Sequence, residues 1–166
     1  MRWAIEGALN PTVLRLHVTE ELTGATILTC PPAPAPAPLD LLVAIEGVRS
    51  LDLQRYRVRF NLLPGAGRAS VMAKVAEILK EPWGEAAAMP PEELPRSFGI
   101  ERQGARMVAE GKEMAESDPV LERAFTVDGV AEAIVDEHLV LVRLGRLFRW
   151  DDVQPLMSAA LAEPFT

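Results

Sequence analysis

The sequence predicts an α+β fold that is built from two similar repeats. The first observation is a repeated pattern: residues 45–48 read Ile-Glu-Gly-Val, and residues 127–130 read Val-Asp-Gly-Val. Each pattern is followed by a strand-like run of residues. Gly47 and Gly129 are 82 residues apart (129 − 47), which is half of a chain of 166 residues. Self-similarity at a fixed spacing indicates a duplicated unit.

The second observation is that further matches follow in the same order along the chain. Two small changes of spacing separate them, and surface loops tolerate such changes. The matching pairs are Trp3 with Trp83, Pro11 with Pro91, Leu14 with Leu94, Glu21 with Glu101, Gly24 with Gly104, Pro38 with Pro119, Ser70 with Asp152 and Leu79 with Leu161. We therefore predict two repeats, residues 1–82 and 83–166, with chance similarity between two short segments as the alternative.

The first repeat begins with three predicted strands. Runs of alternating or apolar residues over 2–8, 12–18 and 24–29 indicate these strands, and Asn10-Pro11 marks a turn. The proline-rich run over 31–38 excludes a helix and a central strand, so we expect an extended loop there. A ligand for a proline-recognising partner is the alternative interpretation of this run.

The first repeat continues with a helix, a hairpin and a second helix. Residues 39–45 should form the first helix, which Gly47 ends, and residues 49–62 should form the hairpin. Ser70 can cap a helix that runs to Leu79, because apolar residues recur there on one helical face.

The second repeat predicts the same order of elements. We expect a helix over residues 120–127, strands over 131–135 and 138–144, and a last helix that runs to residue 161. Residues 111–118 indicate an ordinary polar connection. Each repeat should therefore be a mostly antiparallel sheet with two helices on one face, which defines the α+β class.

Composition and charge limit the class of protein. The chain has no targeting-like N-terminus and no apolar stretch of about 18 residues, so no membrane segment is expected. A single cysteine, Cys30, fits a reducing compartment, and we expect the cytoplasm. Residues 1–82 carry 9 Lys/Arg and 8 Asp/Glu, against 8 and 16 in residues 83–166. Nucleic acid is not an expected partner of such an acidic protein.

Two segments carry a resemblance to a known family. Residues 3–16 read Trp-Ala-Ile-Glu-Gly-Ala-Leu-Asn-Pro-Thr-Val-Leu-Arg-Leu, and residues 117–130 read Ser-Asp-Pro-Val-Leu-Glu-Arg-Ala-Phe-Thr-Val-Asp-Gly-Val. Trp150-Asp151-Asp152 then begins the last predicted helix. Together these segments resemble the N-terminal domain of Nfu/NifU-type iron–sulfur scaffold proteins, in tandem duplication over most of both halves.

The resemblance implies a role that the departures from the family limit. The first half lacks the first proline of the family's Pro-Asn-Pro turn, and the chain has no counterpart of the Cys-x-x-Cys module that binds the cluster. Clusters are held by several thiolates, and this chain offers one. The resemblance therefore implies an accessory, protein-interaction role in iron–sulfur cluster assembly, without cluster carriage.

Cys30, His17 and His138 are the only thiol and imidazole groups of the chain. A metal site needs three or four ligands at constrained spacing, and a nucleophilic Cys or Ser needs a partner His in a recognisable local pattern. Neither pattern appears, so we expect no metal, no cofactor and no catalytic residue. For His138 we expect a position in the core or at a sheet edge.

The clearest candidate site is a run of arginines in the first repeat. Arg55, Arg57 and Arg59 alternate with apolar or aromatic residues in the predicted strand. A period of two places all three on one sheet face, where they can bind an acidic protein partner or an anion. A solvated strand face, covered by the aliphatic stems of the arginines, is the alternative.

The matching strand of the second repeat differs. At a spacing of 82 the counterparts of these arginines are Glu137, Leu139 and Leu141, while Val140 and Val142 lie on the opposite face. A strand that is apolar on both faces should be covered on both. Two buried leucines are worth roughly 3–6 kcal/mol. We therefore predict that Leu139 and Leu141 pack against the first repeat or against a second chain.

These observations predict a non-enzymatic protein-interaction module that binds its partner through the arginine face. The alternative is a small-ligand or metal-binding protein with its site in the cleft between the repeats, near Cys30, His17 or His138. A homodimer through Leu139 and Leu141 is compatible with the first prediction, and neither prediction involves nucleic acid or a membrane.

Overall fold

The computed structural model describes residues 1–101 and 105–162 and has the predicted α+β fold. Two antiparallel sheets, one of five strands and one of four, each pack their helices against one face. The predicted match of Gly24 with Gly104 lies outside the described residues. No helix within the described ranges combines the length and the apolar character that crossing a membrane requires.

The first sheet is built from the first half of the chain. Its elements are β1 Trp3–Gly7, β2 Val13–Val18, β3 Leu28–Cys30, α1 Leu39–Val43, β4 Val48–Leu53, β5 Arg57–Leu62 and α2 Arg68–Trp83. The strand order is β1-β2-β5-β4-β3, and every neighbouring pair is antiparallel.

The second sheet is built from the second half. Its elements are β6 Arg96–Gly99, β7 Met107–Ala109, α3 Lys112–Ala115, α4 Pro119–Phe125, β8 Val130–Asp136, β9 Leu139–Leu144 and α5 Trp150–Ala162. The strand order is β6-β9-β8-β7, again antiparallel throughout.

The two sheets share one strand connectivity. The order β2-β5-β4-β3 corresponds to β6-β9-β8-β7, and β1 is an additional strand at the edge of the first sheet. The predicted match of Trp3 with Trp83 is therefore wrong, because Trp3 lies in β1 whereas Trp83 ends α2. The predicted boundary after residue 82 lies in the last turn of α2.

The glycine turn is the most closely repeated feature of the two halves. Gly47 has φ 95° and Gly129 has φ 101°, a left-handed backbone that glycine adopts without strain. The carbonyl of each glycine accepts a hydrogen bond of 2.8 Å from the residue that follows the hairpin, Leu63 or Gly145. A β-bulge follows each glycine, at the start of β4 and of β8. Both hydrogen bonds and both bulges keep the spacing of 82.

Each half has its own hydrophobic core between its sheet and its helices. Leu16 and Phe60 are fully buried in the first core, and Phe125 and Trp150 are buried in the second. A large apolar side chain contributes about 1.5–3 kcal/mol when it is buried, so each half holds its sheet and helices together by its own contacts.

The linker, residues 84–95, is attached to both halves through tryptophans. The indole N–H of Trp3 donates to the carbonyl of Gly84 at 3.0 Å, and the indole N–H of Trp150 donates to the carbonyl of Leu94 at 2.8 Å. Two arginines just before α5 also donate hydrogen bonds to linker carbonyls. Arg146 donates to the carbonyl of Pro90 and Arg149 to the carbonyl of Pro91, each at 2.5 Å.

The structure differs from the predicted elements in three places. The strand predicted over residues 24–29 is only β3, because the Gly24 carbonyl instead accepts a hydrogen bond from Glu113 of the second half at 2.9 Å. Ser70 is not a cap, since α2 begins earlier, after Gly67. The connection predicted over residues 111–118 contains the short helix α3.

Candidate functional site

Arg55 joins the two halves of the chain, so its prediction as a partner-binding residue is wrong. Only 2% of the residue is exposed, because it precedes β5 and turns towards the second half. Its guanidinium donates to the carbonyls of Phe125 at 2.9 Å and Val130 at 2.8 Å. Phe125 ends α4, where carbonyls lack partners within the helix and the helix dipole is negative. A cation is therefore well placed at this helix end.

Tyr56 completes this junction. Its hydroxyl accepts a hydrogen bond from the backbone N–H of Gly129 at 2.9 Å, and its ring centroid lies 4.7 Å from that of Phe148. Burial raises the pKa of Tyr56, so the hydroxyl stays neutral. The hairpin tip of the first half therefore packs on the repeated glycine turn of the second half.

A cleft of about 380 Å³ opens beside the junction. It lies between the outer faces of the two sheets, meaning the faces that point away from the helices. Known small-molecule sites have volumes of about 300–1,000 Å³, so the cleft can hold a small ligand. The residues that line it and carry charge or an imidazole are Glu6, Arg15, His17, Arg55, Arg57, Glu92, Glu93, Glu110, Glu132, Arg143 and Arg146.

The wall from the first sheet is crowded with nitrogen-bearing side chains. The strand register places Arg15 directly opposite Arg59 and His17 directly opposite Arg57. Within residues 1–101 and 105–162, neither Arg15 nor Arg57 forms an ion pair with an acid. The Arg57 guanidinium instead donates a hydrogen bond to Oε1 of Gln54 at 2.8 Å.

Arg57 is exposed on one side, and its partial burial in the cleft lowers its pKa. The neighbouring charges of Arg15, Arg143 and Arg59 lower the pKa further, and Glu110 opposes the decrease. Like charges in directly opposed positions cost stability. Glu6 lies directly opposite Arg15, and Asp52 lies directly opposite Arg59, so these acids offset part of that cost.

His17 is a neutral member of this wall. Its Nε2 lies 2.9 Å from Oε1 of Glu6, and the residue is buried. Burial lowers the pKa of His17, Arg57 and Arg146 lower it as well, and Glu6 opposes these effects. The imidazole is therefore uncharged at neutral pH, and it can donate a hydrogen bond to the Glu6 carboxylate.

The wall from the second sheet contains a pair of carboxyl groups. Glu132 and Glu110 are neighbours in the cleft, and Arg143 lies 3.1 Å from Oε1 of Glu132. Burial raises the pKa of Glu132, the neighbouring Glu110 carboxyl raises it further, and Arg143 opposes the rise. Two neighbouring carboxylates repel each other, so the pair retains a proton more readily than two separate acids.

The other predicted candidates lie outside the cleft. Cys30 is buried in the first hydrophobic core, where burial raises the pKa of its thiol. His138 is exposed in the turn between β8 and β9, so the prediction that it lies in the core or at a strand edge is wrong. Of the three residues proposed to lie near a ligand site, only His17 does. The described part of the chain contains no group of three or more His, Cys, Asp or Glu residues that could hold a metal ion.

Leu139 and Leu141 do not pack against the first half, so that part of their prediction is wrong. They are 51% and 38% exposed on the outer face of β9. The reason is that the halves meet through the tip of the first hairpin and the glycine turn of the second, which leaves the outer sheet faces apart. Packing of the two leucines against a second chain stays a prediction.

Several residues that the junction brings together, among them Arg15 and Arg143, were not predicted to belong to a site. Arg15 and His17 follow the same period-two rule that places Arg57 and Arg59 on an outer face, so alternation within β2 was an available signal. The meeting of Arg57 with Arg143 and Glu110 depends on how the halves pack, and no local pattern carries that information.

No family model, curated protein or solved structure matches the chain. The resemblance to the N-terminal domain of Nfu/NifU-type scaffold proteins therefore stays a prediction, and so does the division into repeats of that type. What can be argued about function comes from the cleft and from the outer sheet faces.

Proposed function

We propose that this protein binds a small anionic ligand in the cleft between its two halves. The single observation that carries the proposal is the crowding of Arg15 and Arg57 in a cleft of ligand size, without ion pairs to acids within the described residues. An anion would relieve the repulsion between these guanidinium groups. Arginine also binds carboxylate and phosphate oxygens through two parallel hydrogen bonds, which favours ligands with such groups.

The proposed role is ligand binding without a catalysed reaction. A metal ion or a resident cofactor forms no part of it, and neither does nucleic acid or a membrane. A cytoplasmic location, which the single cysteine predicts, belongs to the same proposal.

Charge reversal at Arg57 tests this proposal. Isothermal titration of the chain with phosphate and with citrate, at low salt, should detect binding that Arg57→Glu weakens. A hydrogen bond to a charged group is worth about 1.5–3 kcal/mol, so we expect a loss of affinity of roughly ten- to a hundredfold.

Arg49→Glu is the matched control, because Arg49 is an exposed arginine of β4 outside the cleft and its replacement changes the net charge equally. Its affinity should stay within about twofold of the unaltered chain. The proposal is wrong if no anion in the panel binds, or if the two variants lose the same affinity.

A protein-interaction role, with a link to iron–sulfur cluster assembly through the resemblance, is the second candidate. Two exposed surfaces favour it: Leu139 and Leu141 on the outer face of β9, and Arg57 and Arg59 on the outer face of β5. A pull-down from the native host with Arg57→Glu and Arg49→Glu separates the candidates. Loss of one specific protein with Arg57→Glu alone, together with no anion binding, would favour this second role.

A further inference from the structure

The outer face of the second sheet carries a row of apolar side chains beside the charged end of the cleft. The strand register aligns Leu141 with Ile134, and Ile134 with Val108, across three adjacent strands. Leu141 is 38% exposed, Val108 is 39% exposed, and Ile134 is partly buried. Neighbouring strands are about 4.8 Å apart, so this apolar row is about 10 Å wide.

The apolar row lies next to the charged row of the cleft. Arg143 and Glu132 each lie two residues closer to the junction than Leu141 and Ile134 on the same strands. Two residues of a strand span about 7 Å. Arg57 lines the same cleft as Arg143, so a ligand that is held at Arg57 and extends past Arg143 reaches the apolar row.

The corresponding row of the first sheet is charged instead. Register aligns Glu6, Arg15, Arg59 and Asp52 across four strands of that sheet. Val108, Ile134 and Leu141 lie beyond the residues that line the cleft. The cleft therefore opens between one polar sheet face and one sheet face that becomes apolar away from the junction. Such an asymmetric site matches a ligand with an ionised head and an apolar body.

From this juxtaposition, which rests on the proposed anion site, we propose that the ligand is an amphipathic carboxylate with an aliphatic or aromatic body of about six to eight carbons. The carboxylate contacts Arg57 and Arg15, and the body covers Val108, Ile134 and Leu141. Carboxylate oxygens complement the guanidinium groups of Arg15 and Arg57, which have no acid partner within the described residues. The apolar body removes the exposed row from water.

A second copy of this chain fits the apolar row less well. The second half carries 8 Lys/Arg and 16 Asp/Glu, and a symmetric dimer through the row would bring two such acidic surfaces together. A monocarboxylate adds one negative charge, and it adds that charge at the arginines.

The test compares carboxylates that differ only in chain length. Isothermal titration of the full chain with butanoate, hexanoate and octanoate should give affinities that rise with length. Each buried methylene contributes about fourfold in affinity, so octanoate should bind at least about tenfold more tightly than butanoate. Equal affinities for all three lengths, with Arg57→Glu still weakening each of them, would overturn this inference and leave the proposed anion site intact.

A pair of leucine variants locates the body of the ligand. Leu141→Ser should weaken octanoate binding about tenfold and leave butanoate binding unchanged. Leu156→Ser is the matched control, because Leu156 is 55% exposed on α5, away from the cleft, and it should change neither. Equal effects of the two variants on octanoate would exclude the apolar row as the site. Sedimentation could instead show that the chain is a dimer and that Leu141→Ser dissociates it. The apolar row would then be an interface between two copies of the chain, and the inference would be wrong.

Discussion

The tips of the two hairpins occupy equivalent places in the two halves, and their environments differ. In the first half the tip carries Arg55 and Tyr56, which pack on the glycine turn of the second half. In the second half the equivalent residues, 82 positions later, are Glu137 and His138, and both are exposed. The two halves share one strand connectivity, but only the tip of the first half forms a contact between the halves.

We expect the greatest difference in stability from replacing the equivalent residue of each hairpin tip by glutamine. Arg55→Gln leaves two buried carbonyls without a charged donor, and we expect the free energy of unfolding to fall by about 3 kcal/mol or more. Glu137→Gln changes an exposed turn and should change that free energy by less than about 0.5 kcal/mol. Urea unfolding measures both. Similar losses of stability in the two variants would contradict the conclusion that only the first tip stabilises the contact between the halves.

The glycine turns give a smaller difference. Alanine in a left-handed conformation costs about 1–2 kcal/mol, so both Gly47→Ala and Gly129→Ala should destabilise the chain. The added Cβ would lie 2.9 Å from the Cβ of Ala66 in the first turn, and 2.8 Å from the ring of Phe148 in the second.

Phe148 is also packed against Tyr56, so it has less room to move than Ala66. Gly129→Ala should therefore cost about 1 kcal/mol more than Gly47→Ala, because overpacking adds to the backbone strain. Thermal unfolding of the two variants checks the order. A larger loss for Gly47→Ala would contradict the assignment of the second turn as the junction.

The smallest expected effect is on how the free energy of unfolding changes with pH. The contributions of the two cleft walls to this free energy change in opposite directions. The pKa of His17 is lower in the folded chain than the ordinary value of 6.5, so the unfolded chain binds the extra proton first. The stability that neutral His17 contributes is therefore present above about pH 6.5 and is lost as the pH falls towards the folded pKa.

Glu132 behaves in the reverse way. Its pKa is higher in the folded chain than the ordinary value of 4.5, so its contribution is present below about pH 4.5 and is lost as the pH rises through the folded pKa. Urea unfolding from pH 4 to pH 8 should show a weaker decline on acidification for His17→Gln, and a weaker decline on alkalisation for Glu132→Gln. If the free energy of unfolding changes with pH in the same way in both variants and in the unaltered chain, the predicted difference between the two walls is wrong.

The sequence predicts the elements well and the junction poorly, for physical reasons. The helices and the hairpins depend on local patterns, and the burial of Val71, Val75 and Leu79 on one face of α2 confirms the pattern there. Strand alternation also places Arg57 and Arg59 correctly on an outer face.

Arg55 shows why the rest could not be predicted. The period of two holds only within a strand, and β5 begins at Arg57, so the direction of the Arg55 side chain is set by the turn. The partners of Arg55 are carbonyls more than 60 residues away along the chain. The exposure of Leu141 likewise follows from how the halves meet, which neither composition nor periodicity encodes.

The linker and the Arg55 junction together bear on the proposed ligand site in the cleft. Trp3 fastens one end of the linker to the first half, and Trp150 fastens the other end to the second half. The two attachments shorten the free part of the linker. The Arg55 junction opposes rotation of one half against the other, because such a rotation would break the hydrogen bonds of Arg55 to Phe125 and Val130. A ligand then meets a site of fixed width and loses little affinity to ordering the protein. Preference among ligands would change through side chains on the two walls, while the angle between the halves stays constant.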